Sequence, residues 1–493
     1  MRSTAGELRV EALPVTRATD VVCEMRVSGR GKVRAMVLGV SVAAEPREIF
    51  LAAPNFNGIS TAHPAQTLYQ GLSVDHRDAL FGPQWMYSPP PLVFPIRSGD
   101  LWYGVGLGAA PNLNLYSGWR HVPRSERAFD LCVHYDGYVG TQGHLCSVFF
   151  LGEGRRSPHD VIHDYAELLR RLGWAPRPTR SPPSWWSGTF FFPWGEQCNL
   201  ARQKRVKMYY QGDAVTMYET QANQLRWFSC VADRGVPVGT VCTSDKWQLE
   251  RQRLLPDTGK YPDMRGFVDF HHAAGRHILS WVGLWRHDNA DQSWCLRDSA
   301  GATPALDPES EGYGKALRED VERLISPRGC DFDGFFLDFT NELPVQEGLG
   351  KAGDRWGVEL LHHYLTIIYD AAKNAKKDAL IMTHCPHPYF ADVTDVLRLN
   401  DWSFKKPDLV AQARYRRAIA AACSDWLINT DNWFMYDIDQ WREYLGVAPE
   451  LGIPASWYAT GVWGDGPGTA YEAFTDGDYA RWKEIWTRYA RRI

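Results

Sequence analysis

Phe332-Asp333-Gly334-Phe335-Phe336-Leu337-Asp338-Phe339-Thr340-Asn341-Glu342 is an apolar run that ends on a carboxylate and then breaks. Aromatic and branched residues suit a buried strand, whereas a buried Asp must be paired, hydrogen-bonded or protonated. In a parallel β/α barrel the C-terminal strand tips form the active-site face, so Asp338 at such a tip reads as chemistry rather than packing. The plainer alternative is that Asp338 caps the next turn or pairs with an Arg.

Outward from this run, seven further apolar segments stand at 188–194, 237–245, 277–285, 379–385, 396–401, 426–431 and 454–459. Helical patterns separate them, at 263–275, 315–326, 354–375 and 408–423, and a last one at 478–491 carries an aromatic stripe of Tyr479, Trp482, Trp486 and Tyr489 that reads as a packing face. Such alternation indicates parallel β/α architecture, and eight strands favour a closed barrel. The first 155 residues have another rhythm, with short alternating runs such as Gly31 to Val40 broken by Pro, Gly and Asn, the pattern of an antiparallel β-sandwich. A punctuated helix follows, with Ser157 as cap, Pro158 in the first turn, Gly173 as stop, and Val161, Tyr165, Leu168 and Leu172 on one face. Behind it lies the stiff Pro-rich segment 176–183. The expected fold is therefore α/β: an N-terminal antiparallel β-sandwich over 1–155, a linking helix and linker over 156–184, and a C-terminal (β/α)8 TIM barrel over 185–493.

At 493 residues the chain exceeds the usual size of one core, which agrees with two domains. With 54 basic against 58 acidic residues the net charge is -4, too small to draw a polyanion, so no nucleic-acid partner is expected. No run approaches a membrane span and the amino end has no signal-peptide core, so a cytoplasmic protein without a membrane partner is expected. The 10 Cys, Cys132, Cys146, Cys242 and Cys385 among them, have no paired spacing and read as buried thiols rather than a disulfide frame. Aromatic residues reach 13%, with 21 Trp and 22 Tyr; their flat faces suit stacking on sugar rings and equally suit large cores.

The strand ends collect acidic, basic and aromatic residues: Trp194 and Glu196, Asp245 and Trp247, Trp285, Arg286 and Asp288, Asn341 and Glu342, His384, Arg398 and Asp401, Asp431 and Asn432. All would converge on one mouth, where ionisable groups perturb one another. Glycoside cleavage needs a second carboxylate to protonate the leaving oxygen, and Asp401 at the end of the sixth segment stands across the mouth from Asp338. Its alternative reading is an ion pair with Arg398 or Lys405. Asp392 and Asp395 precede their strand and belong to the opposite end.

The order Trp194-Gly195-Glu196-Gln197, Ser244-Asp245-Lys246-Trp247-Gln248, then Lys260-Tyr261-Pro262-Asp263 leading into His277 to Trp285, resembles the barrel of retaining α-glycosidases. It is most similar to the α-galactosidase-like clan, glycoside hydrolase families 36 and 27, with the related family 31. The resemblance implies that Asp338 is the nucleophile, that Asp401 in Arg398-Leu399-Asn400-Asp401 is the acid/base, and that Asp245 and Trp247 help bind the glycone. It spans the barrel from about residue 185, and a β-sandwich joined by a helix is also similar to family 36. The sequence departs from the clan in three places. Phe336-Leu337-Asp338-Phe339-Thr340-Asn341-Glu342 is closer to family 31 in its Asn-Glu pair, Thr383-His384-Cys385-Pro386-His387-Pro388 replaces a glycine-rich Cys segment, and no carboxy-terminal β domain is expected after the last helix.

Prolines at 386 and 388 hold His384 and His387 on opposite faces, which disfavours a shared metal; His384 is the better candidate for sugar hydroxyls and His387 for a structural role. No Gly-x-Ser-x-Gly elbow is present, and Gly464-Asp465-Gly466-Pro467-Gly468 carries Asp and Pro where a phosphate cradle needs free amides. The expected chemistry is hydrolysis of a terminal α-linked sugar by double displacement, with Asp338 attacking and Asp401 as acid and then base. Glu196, Asp245, Trp247, Trp285, Arg286, His384 and Arg398 are the candidates for gripping a small carbohydrate, with no metal or other cofactor required. A transglycosylase would use the same residues. The reading from another class is a carbohydrate-binding protein on a degenerate barrel.

Overall fold

The computed structural model describes residues 9–17, 20–28, 31–55, 58–72, 86–140, 143–178, 181–204, 215–399, 401, 408–433, 435–463 and 470–493. Asn400, Trp402, Lys405, Thr179 and Arg180 of the linker, the glycine loop at 464–468 and the extreme amino end lie outside these residues.

Two antiparallel sheets come first along the chain. One runs Arg9–Arg17, Asp20–Ser28, Gly143–Arg155, Leu101–Gly108, Val93–Ser98, Glu48–Phe50, Thr61–Ala62; the other runs Lys32–Ser41, Ala128–Gly140, Gly118–Ser125, Leu68–Gly71. Residues alternate in and out along Ala128–Gly140, so Phe129, Leu131, Val133 and Tyr135 are buried while their neighbours are partly exposed. Phe94 of one sheet stacks on Trp119 of the other, ring centroids 4.7 Å apart, closing the sandwich core.

The helix Pro158–Arg171 begins as its sequence indicates, with the Ser157 side chain accepting from the His159 amide. Its buried face lies on the strand Leu101–Gly108, where a Cβ at Gly104, Gly106 or Gly108 would stand within 2.8 Å of Val161, Tyr165 or Leu169. Close approach, rather than backbone freedom, explains these three glycines. The Tyr165 hydroxyl donates to the Leu107 carbonyl at 2.7 Å and meets His387 Nε2 at 3.0 Å, tying the sandwich to the barrel.

The barrel strands are Phe190–Phe191, Thr240–Cys242, His277–Gly283, Gly334–Asp338, Leu380–Thr383, Val396–Arg398, Leu427–Asn429 and Ala455–Ser456. Each is parallel to its neighbour in sequence, and the eighth pairs with the first. A parallel bridge between Asn429 and Ile453 joins the seventh to the eighth and closes the ring. All eight anticipated strands are present but shorter than the apolar runs suggest. The largest difference is at the first, where the chain turns at Pro193 and enters the helix Trp194–Gln203. Helices Gln221–Ala232 and Ile438–Leu451 were not anticipated; the latter carries Pro449 internally, which obscures it as a sequence pattern. All ten cysteines are free thiols, and no described helix is long and apolar enough to cross a membrane.

Candidate active site

The strand tips surround a cavity of about 150 Å³ whose lining includes Ser244, Asp245, Trp281, Asp338, Asp401 and Trp457. At roughly 30 Å³ per water this is room for about five waters, the scale of one sugar ring. Its aromatic walls come from Trp433 and Trp457, stacked at 6.0 Å, and from Trp194, edge-on to Trp433 at 6.3 Å. Beneath lie Phe190, Phe192 and Phe336, packed together inside the barrel.

Arg398 is the organising residue. Its buried guanidinium lies on the Phe336 ring, 4.5 Å from the centroid, and faces three carboxylates: Asp401 at 3.0 Å, Asp431 at 3.3 Å and Asp338 at 3.5 Å. One planar cation thus bridges aspartates from the fourth, sixth and seventh strand tips. Asp338 also accepts from the Phe339 amide at 2.9 Å and the Trp281 indole at 3.3 Å, with His384 Nε2 at 3.6 Å. Both modest alternatives for the two aspartates are therefore visible, a local amide bond at Asp338 and an Arg398 pair at Asp401.

The two groups are driven apart electrostatically. Burial raises Asp338, but Arg398, His384, the Phe339 amide and the Trp281 indole more than reverse it, leaving the carboxyl below its ordinary value. Asp401 is raised well above its ordinary value by burial together with Asp431 and Asp338, against the opposing pull of Arg398. A carboxyl held below its ordinary value and one held above it therefore share a cavity, a division that commonly assigns base or nucleophile and acid.

The mouth is also where the backbone is held in an unusual conformation. Lys246, Trp285, Phe339 and Asp431, four of the seven described non-glycine residues with positive φ, lie just beyond the second, third, fourth and seventh strands. Such conformations cost on the order of 1–3 kcal/mol each and gather at functional sites.

The structure brings together some of the anticipated residues and separates others. Asp245 lines the cavity; burial raises its carboxyl, and its Oδ1 is ion-paired with Arg251 Nε at 3.5 Å. His384 stands behind Asp338, held by the Thr340 hydroxyl at 3.1 Å and the Met86 carbonyl at 3.3 Å, so it faces the carboxylate. Arg286 lies over the Phe339 ring and is clamped by both oxygens of Glu342 at 2.6 and 2.5 Å. Trp247 and Trp285 are not on the cavity wall: both are fully buried, their indoles donating to the carbonyls of Trp281 at 2.8 Å and Thr340 at 3.4 Å. Glu196 is also turned away, because the helix starting at Trp194 directs it to the amides of Ala459 and Thr460 at 2.7 and 2.8 Å. His387 is a structural residue, buried against Tyr165 and lowered by burial to about 3.

Trp281, Trp433 and Trp457 were overlooked as site residues. The latter two sit at the tips of the seventh and eighth strands, where the rule that found Asp338 would have found them; Trp281 lies within a strand, and only its inward phase marks it.

No protein-family model matches the sequence, and no curated protein matches it. Solved structures do match in fold. A family 31 sulfoquinovosidase from E. rectale, in complex with an aza-sugar inhibitor, has a TM-score of 0.63 at 10% identity over 98% of this chain and 78% of that one. A cycloalternan-degrading enzyme from Trueperella pyogenes in complex with isomaltose gives 0.62 at 12% identity, covering 99% of this chain and 71% of the other. The α-galactosidase of Thermus thermophilus in complex with p-nitrophenyl α-D-galactopyranoside gives 0.59 at 15% identity, covering 98% and 92%. The chain thus has the fold of these α-glycosidases, a (β/α)8 barrel preceded by a β domain.

Proposed function

We propose that the protein is an α-glycoside hydrolase that removes a terminal sugar by double displacement. The observation that carries this reading is the opposite displacement of Asp338 and Asp401 around one shared Arg398, in a cavity lined by both. Ionised Asp338 attacks the anomeric carbon while Asp401 protonates the departing oxygen; Asp401, now a carboxylate, then takes a proton from the water that hydrolyses the glycosyl-enzyme. Arg398 fixes both carboxylates, and His384 and the Trp281 indole hold Asp338. Asp245 and Ser244 line the cavity and are placed for sugar hydroxyls.

The structural relatives act on different α-glycosides, so the glycone is inferred from this chain. The cavity is lined by three aspartates, and the described cations at its edge are engaged: Arg286 with Glu342, Lys246 and Arg251 with Asp288, Arg398 with its three carboxylates. That balance favours a neutral sugar, such as galactose or glucose, over an anionic one. A panel of p-nitrophenyl α-glycosides, with the product anomer followed by NMR, tests the reading: release of the α-anomer is expected, and initial release of the β-anomer would overturn double displacement. Asp401→Ala should spare activated aryl substrates, slow poor leaving groups by roughly 10²–10⁴-fold, and be rescued by azide. Sugar affinity without turnover would instead establish a binding protein.

A further inference from the structure

We infer that Glu219 is a positioning residue that holds the Ser244–Asp245 tip of the second barrel strand against the bound sugar. The inference rests on the glycosidase reading only for what that tip binds. Glu219 lies in the turn ahead of the helix Gln221–Ala232, is fully buried and does not line the cavity. Its Oε1 accepts from the Ser244 amide at 2.8 Å, the Tyr261 hydroxyl at 2.5 Å and the Gln224 side chain at 2.9 Å. Its Oε2 accepts from Gln224 at 2.9 Å and from Gln197 at 2.5 Å. One carboxylate thereby joins two helices, the Tyr261 loop and the cavity wall, and the residue it holds by the backbone is the one before Asp245.

The charge state of this group has consequences at the wall. The Ser244 amide can only donate and both glutamines present their NH2 groups, so the arrangement suits a carboxylate; a protonated Glu219 would have to turn a donor away or make a glutamine rotate its carbonyl inward. Burial nevertheless raises it to about 7, against Tyr261, Ser244, Gln224 and Lys260. Among the described residues, the ionisable groups facing it are Tyr261, Lys260 and Cys242. The helices contribute, among the described residues, the neutral Gln197 and Gln224. Lys260 is tied to the Thr216 and Lys246 carbonyls at 3.1 and 2.7 Å, so its ammonium also braces the loop that carries Asp245. Protonation of Glu219 therefore loosens the sugar-binding wall without touching Asp338 or Asp401.

Two measurements on the full chain test this. Hydrogen exchange at the Ser244 amide, corrected for the intrinsic pH dependence, should be about tenfold faster in Glu219→Gln and should accelerate in the parent as pH falls through about 7. Unchanged protection in the variant overturns the inference. In kinetics on whichever aryl α-glycoside the parent hydrolyses, KM should rise below that pH while kcat follows the aspartate pair, and Glu219→Gln should show a high, pH-independent KM. Equal losses in kcat and KM, or a persistent KM inflection, would overturn the role. Should Glu219→Gln fail to fold, Tyr261→Phe removes one donor and should move the KM inflection to higher pH; no movement counts against the inference. A parent that hydrolyses no α-glycoside defeats the proposed function, while the exchange experiment still decides the role of Glu219.

Discussion

Asp333 and Asp338 bracket the same barrel strand and have opposite surroundings. Below the strand, Asp333 accepts from His272 at 2.8 Å, the Ile278 amide at 2.9 Å and Lys376 at 3.0 Å; burial raises it, and these partners with His277 drive it far below the ordinary carboxylate value. At the upper tip, Asp338 has one short hydrogen bond, to its own Phe339 amide, and three contacts of 3.3–3.6 Å. The sixth strand repeats the contrast. Asp395 beneath it takes Lys373 at 2.7 Å and the Ile381 amide at 2.9 Å, whereas Asp401 above shares Arg398 with two other acids. A saturated carboxylate has spent its lone pairs on the fold; a sparsely held one facing a cavity keeps them for a ligand.

The largest effect separates the two ends. Asp338→Asn should cut turnover of aryl α-glycosides by at least ~10⁴-fold while leaving the urea midpoint nearly unchanged. Asp333→Asn should do the reverse, lowering stability by about 2–4 kcal/mol because Lys376 and His272 lose a buried partner, with kcat per folded molecule preserved. The pH response adds a sign. The depressed Asp333 contributes stability that is complete above its unfolded value of about 3.9 and is lost as pH falls toward its folded value, so Asp333→Asn should flatten the acid side of the stability profile. Turnover by Asp338→Asn near the parent level would remove Asp338 from the mechanism.

Most of this contrast is legible in the sequence. Alternation of apolar runs with helical patterns marks the barrel, and position before or after a run tells a lower carboxylate from an upper one, which separates Asp395 from Asp401 and Asp333 from Asp338. Side-chain direction beyond the tips is not legible. Glu196 lies five residues past its strand and Asp245 three past the second, yet Pro193 starts a helix and rotates Glu196 toward Ala459. Trp247 and Trp285 look like sugar platforms in sequence, but each indole finds a backbone carbonyl and becomes core. Glu219 belongs to no strand tip, and only the tertiary approach of Ser244, Tyr261 and Gln197 reveals it.

Asp431 sharpens the comparison most finely, because it combines features of both ends. It is fully buried at a strand tip, accepts the Asn432 and Trp433 amides at 2.6 and 3.0 Å on one oxygen, and turns the other to Arg398 at 3.3 Å. It does not line the cavity, so its influence passes through charge: it draws on the cation that Asp338 and Asp401 share, and it helps raise Asp401. The proposed double displacement needs Asp338 ionised and Asp401 protonated, so kcat/KM should be bell-shaped, its limbs belonging to the coupled cluster rather than to isolated residues. Asp431→Asn removes one negative charge and leaves Arg398 to two carboxylates, which lowers the value for Asp401. The alkaline limb should therefore move to lower pH, by on the order of one unit, with the rate at the optimum within about tenfold of the parent. An alkaline limb that stays fixed or moves upward would show that Asp401 does not set it, and would return the three-carboxylate cluster to the structural class represented by Asp333.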